Sequence, residues 1–197
     1  MRDARWAMRD ALPHRILGFI PLCFFVAHFI HHLNEGHPGY ILWLCNLNNL
    51  LLAIGVFSGW KLLIRIGIIW LIPALPLWFI ESWMYADWPL TSILSHIGAL
   101  TFGLFLLPRI GMTKNVWIAA LIYALLVQQL TRLITSPKLN VNVAFESYMG
   151  WDEIFPHYWQ FWLFISAEAA IGLFLLNYFL AKRFPARKDQ EIEVSVT

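Results

Sequence analysis

Six apolar segments, each about as long as a bilayer is thick, constrain this sequence more than any other feature. They lie at residues 16–33, 39–58, 62–80, 89–107, 115–134 and 159–181. A helix needs about 20 apolar residues to cross the hydrocarbon core, and lipid offers its backbone no hydrogen-bond partner. The apolar residues are continuous rather than alternating, which favours helices over a barrel. We therefore predict an all-α integral membrane protein, a bundle of six transmembrane helices.

The composition of the chain supports a membrane location. Hydrophobic residues make up 59% of the sequence and charged residues 13%, which is too apolar for an ordinary soluble domain. The 11 Trp and 15 Phe suit the aromatic belts at the two membrane interfaces. The net charge is +2 and basic residues form no block, so we expect no nucleic-acid partner. The expected partners are membrane lipids and other membrane proteins.

Basic residues are concentrated in alternate connections between the six segments. These connections, with the segment ends that adjoin them, contain Arg2, Arg5, Arg9 and Arg15, then Lys61 and Arg65, then Arg109 and Lys114, and finally Lys182, Arg183, Arg187 and Lys188. Because Lys and Arg favour the cytoplasmic side, we expect a multi-pass protein of a bacterial inner membrane with both termini in the cytoplasm. We predict an interfacial N-terminal segment (1–12), a transmembrane domain (13–183) and a disordered tail (184–197).

One connection, from Thr135 to Tyr158, is much longer than the others. It is rich in Asn, Trp and Tyr, and Pro137 and Pro156 interrupt it. Proline breaks regular structure, and long connections in compact domains commonly serve a purpose. We expect this connection to cover the outer face of the bundle.

Polar residues cluster at one depth of the predicted bundle. Counting about 1.5 Å per residue from the outer helix ends places His28, Cys45 and His96 roughly 8 to 11 Å below the outer surface. Other polar residues in the same half are Asn46, Asn48, Asn49, Gln128, Gln129 and Arg132. Such groups are costly unless they face a bundle interior or water, so we predict one polar pocket that opens outward. Taken singly, each is also explained by interhelical hydrogen bonding.

Two chemistries fit this pocket, and the first is nucleophilic acyl transfer without a cofactor. Cys45 would attack an ester carbonyl and His96 would accept the thiol proton. Asn46 or Arg132 would stabilise the oxyanion. A thiol in an apolar bundle is unreactive unless a base is adjacent. Cys23 lies deeper, without a histidine at its level, and is expected to be a packing residue.

The second chemistry is a metal site. The HxxHH spacing places His28, His31 and His32 on neighbouring faces of one helix, so that two of them can share a metal. His157 is the predicted further ligand, with His37, His96, Glu35 or Glu81 in reserve. The spacing is similar to one histidine box of the membrane fatty-acid desaturases, which need about eight ligands. With seven histidines in all, this chain suits a single zinc or copper better than a pair of irons.

A non-enzymatic function is the remaining alternative. The polar cluster of a transporter, or of a small subunit of a membrane complex, would bind a partner or a lipid headgroup. Glu168 lies near the middle of the last segment. An intramembrane carboxylate there is either a proton relay or the partner of a neighbouring helix, and a protonated Glu bonded to a carbonyl is the simpler explanation.

Three short motifs carry a family resemblance: LWLCNLNNLL (42–51), SILSHIGAL (92–100) and NVN (140–142). Their order resembles the YwaF-like family, whose animal members include transmembrane protein 164, although Leu42 and Trp43 stand where the family favours Pro-Leu. The resemblance implies a Cys/His acyltransferase acting on phospholipids, with Cys45 as nucleophile and His96 as base. A second stretch, HHLNEGHPG (31–39), resembles the HxxEE-type membrane proteins, with Gly36 in place of the second Glu.

Overall fold

Six long helices form the regular structure of residues 15–148 and 150–186, the ranges that the computed structural model describes. They are α1 (Phe19–Asn34), α2 (Leu44–Ser58), α3 (Lys61–Tyr85), α4 (Leu90–Ile110), α5 (Val116–Ile134) and α6 (Tyr158–Arg183). Helices α3 to α6 are long and apolar enough to cross a membrane, whereas α1 and α2 are shorter apolar helices of 16 and 15 residues. Six helices were predicted and six are found in these ranges. Segment 1–12 and residues 187–197 of the predicted tail lie outside them.

The second predicted span is not one continuous helix. Residues Pro38–Leu42 form a 3-10 turn, and Trp43 then adopts an extended conformation (φ −52°, ψ 134°) before α2 begins. The side chain of Asn142 binds both sides of this break. Its Nδ2 donates to the carbonyl of Leu42 at 2.8 Å, and its Oδ1 accepts from the backbone N–H of Leu44 at 2.8 Å. These bonds give the carbonyl of Leu42 and the N–H of Leu44 partners at a point where helical hydrogen bonding is interrupted.

The chain is divided into two compact units. In the described ranges, unit 1 comprises residues 15–31 and 45–110, which include most of α1 and α2 with all of α3 and α4. Two glycines of unit 1 let α3 approach its neighbours closely. A Cβ on Gly67 would lie 3.0 Å from Leu52 of α2, and one on Gly103 would lie 2.9 Å from Ile68 of α3. Small residues at helix contacts are typical of apolar bundles. The buried Arg65 donates to the carbonyl of Ile110 at 2.8 Å, at the end of α4.

Unit 2 comprises residues 32–44 and 111–186 in the described ranges. The long connection between α5 and α6 packs inside this unit, because Val141 and Ala144 are fully buried. The hydroxyl of Tyr158 donates to the carbonyls of Val143 and Ala144, each at 2.9 Å. The connection is therefore held against the helix that follows it. Its location on the outer face stays a prediction.

Candidate functional site

His96 lies on an irregular turn of α4. The helix is α-helical over Leu90–Ile93 and Ala99–Ile110, but residues Leu94–Gly98 form a π-turn. The N–H of Ala99 accordingly reaches back five residues, to the carbonyl of Leu94. A π-turn inserts one residue into a helix and is frequent at functional sites. The irregularity changes the direction in which His96 and its neighbour Ser95 project.

Two contacts hold the imidazole of His96, which is 4% exposed, and a third holds the indole on which it stacks. Its Nδ1 lies 2.9 Å from the carbonyl oxygen of Ser92. Its ring stacks on Trp78, with centroids 4.8 Å apart and planes 13° from parallel. The indole N–H of Trp78 donates to Ser92 Oγ at 2.8 Å. Because a carbonyl can only accept, Nδ1 carries the hydrogen, and Nε2 of the neutral ring is left with its lone pair. This tautomer is the one a general base needs at Nε2.

Cys45 lies in the first turn of α2 and is half-buried. Its Sγ is 3.9 Å from Oδ1 of Asn46, a long contact even for sulfur. No hydrogen bond joins Cys45 to His96 in the described part of the chain. The turn around Cys45 is instead tied to the π-turn by Asn49, whose Nδ2 donates to the carbonyl of Cys45 at 3.2 Å and to that of Ser95 at 3.0 Å.

Several fully buried polar atoms in this part of unit 1 have no hydrogen-bond partner among the described residues. They are Nδ2 and Oδ1 of Asn48, Oδ1 of Asn49 and Oγ of Ser95. Leaving a buried polar group unpaired costs about 1 to 3 kcal/mol, and native proteins contain few such groups. Their concentration on α2 and the adjoining π-turn makes this part of unit 1 the candidate site.

The two residues predicted to stabilise an oxyanion have other contacts in the structure. Asn46 is buried and its Oδ1 faces the thiol of Cys45. Arg132 is exposed in unit 2, and its guanidinium carbon lies 5.5 Å from the ring centroid of Tyr158. The catalytic roles of both residues stay predictions.

The histidine-rich end of α1 forms a small group of potential metal ligands. His31, His32 and Glu35 each offer one ligand atom, and these atoms lie within 4.8 Å of one another. The predicted ligand His28 is not in this group: its Nδ1 lies 3.1 Å from Thr91 Oγ1, and its ring stacks on His31 at 5.7 Å. The structure therefore brings together two of the four predicted histidines, with Glu35 from the reserve.

The fourth predicted ligand, His157, is exposed at the N-cap of α6. Its backbone N–H donates to Oε1 of Gln160 at 3.2 Å, so its position is explained by the start of a helix. Glu168 is exposed on α6, and Gln129 is exposed on α5. Neither contributes to the polar atoms around Cys45 and His96 that are described above.

Gln128 belongs to the structural framework of unit 2. Its Oε1 accepts from the indole N–H of Trp162 at 2.6 Å, and its Nε2 donates to the carbonyls of Asn142 and Val143 at 3.1 and 3.3 Å. A buried side chain whose donor and acceptor are both paired has little capacity left for a ligand.

Sequence reasoning gave no role to Ser92, Ser95 or Trp78. Serine and tryptophan are common in apolar helices, and no pattern in the sequence shows the π-turn that groups them around His96. The signal that identifies them is the pairing of each buried polar atom, which requires coordinates.

Comparison with known proteins gives no relative from which a function could be inferred. No protein-family model, no curated protein and no solved structure matches the chain. Function has to be argued from the residues of a site and their geometry, since a helical bundle supports many functions.

Proposed function

We propose that the protein is a membrane lipid acyl hydrolase or acyltransferase with Cys45 as nucleophile and His96 as general base. The observation that supports this most is the bridge made by Asn49, which binds the carbonyls of Cys45 and Ser95 through one amide nitrogen. Since Ser95 directly precedes His96, the bridge keeps the cysteine turn beside the histidine turn. A nucleophile and its base need such neighbouring, rigid supports.

The proposed reaction begins with transfer of the thiol proton from Cys45 to Nε2 of His96. The thiolate forms a bond to the carbonyl carbon of a lipid ester, and the carbonyl oxygen becomes an oxyanion. When the oxyanion collapses, the C–O bond to the alcohol breaks, and that alcohol oxygen receives the proton held by His96. His96 then takes a proton from water or from a second lipid hydroxyl, whose oxygen attacks the carbonyl carbon of the thioester on Cys45. The C–S bond breaks, the Cys45 thiolate takes the proton back from His96, and a fatty acid or a new ester is released.

The substrate class follows from where the site would lie. Four helices are long and apolar enough to cross a membrane, and an acyl ester is the reactive group that a bilayer supplies at interfacial depth. We place the site toward the outer leaflet of a bacterial inner membrane, with both termini cytoplasmic, because of the alternation of basic connections. Membrane lipids are then the direct partners of the protein.

The two cysteines offer a test of thiol activation within one molecule. Cys23 is exposed, whereas Cys45 is half-buried, so access alone predicts faster modification of Cys23. If His96 activates Cys45, a lipid-tailed chloroacetamide should alkylate Cys45 at least about tenfold faster, because the thiolate is the reactive species. Peptide mass spectrometry over a time course measures both rates. Cys45→Ser is the matched control and should leave the slow labelling of Cys23 unchanged.

Equal rates at the two cysteines, or faster labelling of Cys23, would show that reactivity follows exposure. Thiol activation, and with it the proposed acyl transfer, would then be excluded.

A second candidate function, a metalloenzyme, is favoured by the grouping of His31, His32 and Glu35. Two histidines and a carboxylate match the protein ligands of a catalytic zinc site that keeps one position open. If this group binds metal, protein purified without a His-tag should contain about one zinc, copper or iron per chain by elemental analysis. The double variant His31→Ala/His32→Ala should then lose it. Metal well below one per chain, with a thermal midpoint that chelator does not change, would remove this candidate.

A further inference from the structure

We infer that Asn48 and Ser95 donate the hydrogen bonds that bind the substrate's carbonyl oxygen as it becomes an oxyanion. This inference rests on the proposed acyl transfer at Cys45. It assigns a binding role to two side chains that have no hydrogen-bond partner within residues 15–148 and 150–186.

Helix geometry places Asn48 on the same face as the proposed nucleophile. Residues three and four positions apart are neighbours on a helix surface, so Asn48 and Asn49 both adjoin Cys45 on α2. Asn49 joins this face to the π-turn through the carbonyl of Ser95. The side chains of Asn48 and Ser95 therefore belong to the two elements that Asn49 holds together.

The chemistry of the unpaired atoms fits an oxyanion. Asn48 offers two amide hydrogens and Ser95 one hydroxyl hydrogen, and all are donors that an anionic oxygen accepts. Both side chains are 0% exposed. Donors fixed in a dry site stabilise developing charge far better than donors in water, because they need no reorganisation.

The side of Asn48 that faces α3 is closely packed. Leu52, one turn further along α2, is fully buried. Gly67 of α3 packs on the backbone of Asn48, since a Cβ there would lie 3.3 Å from its carbonyl oxygen. An amide retained in such a place, without a partner, costs stability. That cost is accounted for if the partner is the ester group of a substrate.

The predicted alternatives are less suited to this role. Oδ1 of Asn46 faces the thiol of Cys45, which places this amide at the nucleophile. The guanidinium of Arg132 lies over the ring of Tyr158 on an exposed part of unit 2.

The test compares two reactions of Cys45 in the full-length protein. The burst of nitrophenolate from a medium-chain nitrophenyl ester reports acylation, which passes through an oxyanion. Alkylation by the lipid-tailed chloroacetamide reports thiol activation alone, because that displacement forms no oxyanion. Asn48→Leu and Ser95→Ala should each slow acylation by about 100- to 1000-fold. Each should leave the alkylation rate within about threefold, since the base is unchanged.

Asn177→Leu is a matched control for the buried amide. Asn177 is 1% exposed, but its Nδ2 donates to the carbonyls of Thr113 and Lys114 at 3.1 and 3.0 Å. Its replacement should lower the thermal midpoint without a selective loss of acylation. Asn48→Leu removes no side-chain hydrogen bond to any residue that the structure describes, so its midpoint should stay or rise.

Each remaining outcome overturns the inference. Unchanged acylation in both variants would exclude the two residues as donors while the Cys45 and His96 mechanism stands. A parallel fall of acylation and alkylation would show that they act only by positioning the nucleophile. A wild-type protein that is never acylated at Cys45 would refute the proposed function and this inference together.

Discussion

Replacing His96 with alanine is expected to slow the modification of Cys45 by about 100-fold or more, since loss of a general base typically costs two to four decades of rate. The expectation follows from the ring's geometry: Nδ1 is bonded to Ser92 O, which leaves Nε2 as the atom that can accept the thiol proton. Alkylation and acylation should fall together, because both require the thiolate. The two rates, measured with the chloroacetamide and the nitrophenyl ester, check this.

Two further variants separate base catalysis from packing. His96→Ala also removes a ring that stacks on Trp78, so a cavity alone would disturb the site. His96→Gln fills much of that space but cannot take a proton, and it should lose as much rate. His37→Ala removes an exposed imidazole, one that contacts Tyr40, and should leave the rate unchanged. Wild-type reactivity in His96→Gln would show that no base acts at this position.

Asn142→Ala is expected to destabilise the protein by about 2 to 5 kcal/mol, because it leaves the backbone groups of Leu42 and Leu44 unpaired. It also removes a hydrogen bond of 3.0 Å to Thr131 Oγ1. In addition, Asn142 has φ +56°, a conformation that Asn tolerates better than alanine does. The thermal midpoint in detergent should fall by roughly 5 to 15 °C.

Gln129→Ala is the control for Asn142→Ala. Gln129 is an exposed amide on α5, so the thermal midpoint of this variant should change little. If the thermal midpoint of Asn142→Ala fell by only a degree or two, other groups would have to bind the backbone of Leu42 and Leu44 at the break. The structural role assigned to this loop would then be wrong.

The number and approximate positions of the helices could be predicted because each apolar run is long and continuous. The ends of these helices could not be predicted with the same success. The break at Trp43 depends on the side chain of Asn142, which lies about a hundred residues away in sequence. The π-turn around His96 lies inside a continuous apolar segment, so no proline or glycine pair in the sequence marks it.

The candidate site was predictable in part. Cys45 and His96 could be named from depth and from short motifs, although their pairing stays a prediction. Depth alone also grouped Gln128 with them, but its bonds to Trp162 and to the loop make it a structural residue. Sequence spacing could not show that the side chain of Asn48 has no partner in the described part of the chain, whereas both ends of the Asn142 amide are hydrogen-bonded. That distinction depends on tertiary partners, and only an account of each buried donor and acceptor reveals it.

The covalent intermediate on Cys45 tests the central claim most directly. The purified protein would be mixed with a glycerophospholipid that carries an isotope-labelled fatty acid, quenched in acid during turnover and digested for mass spectrometry. We expect the labelled acyl group on the peptide that contains Cys45 and no label in Cys45→Ala. Neutral hydroxylamine should remove the group, as it does from a thioester. Lipid turnover with the acyl group on another residue or on none, or no turnover at all, would contradict the account.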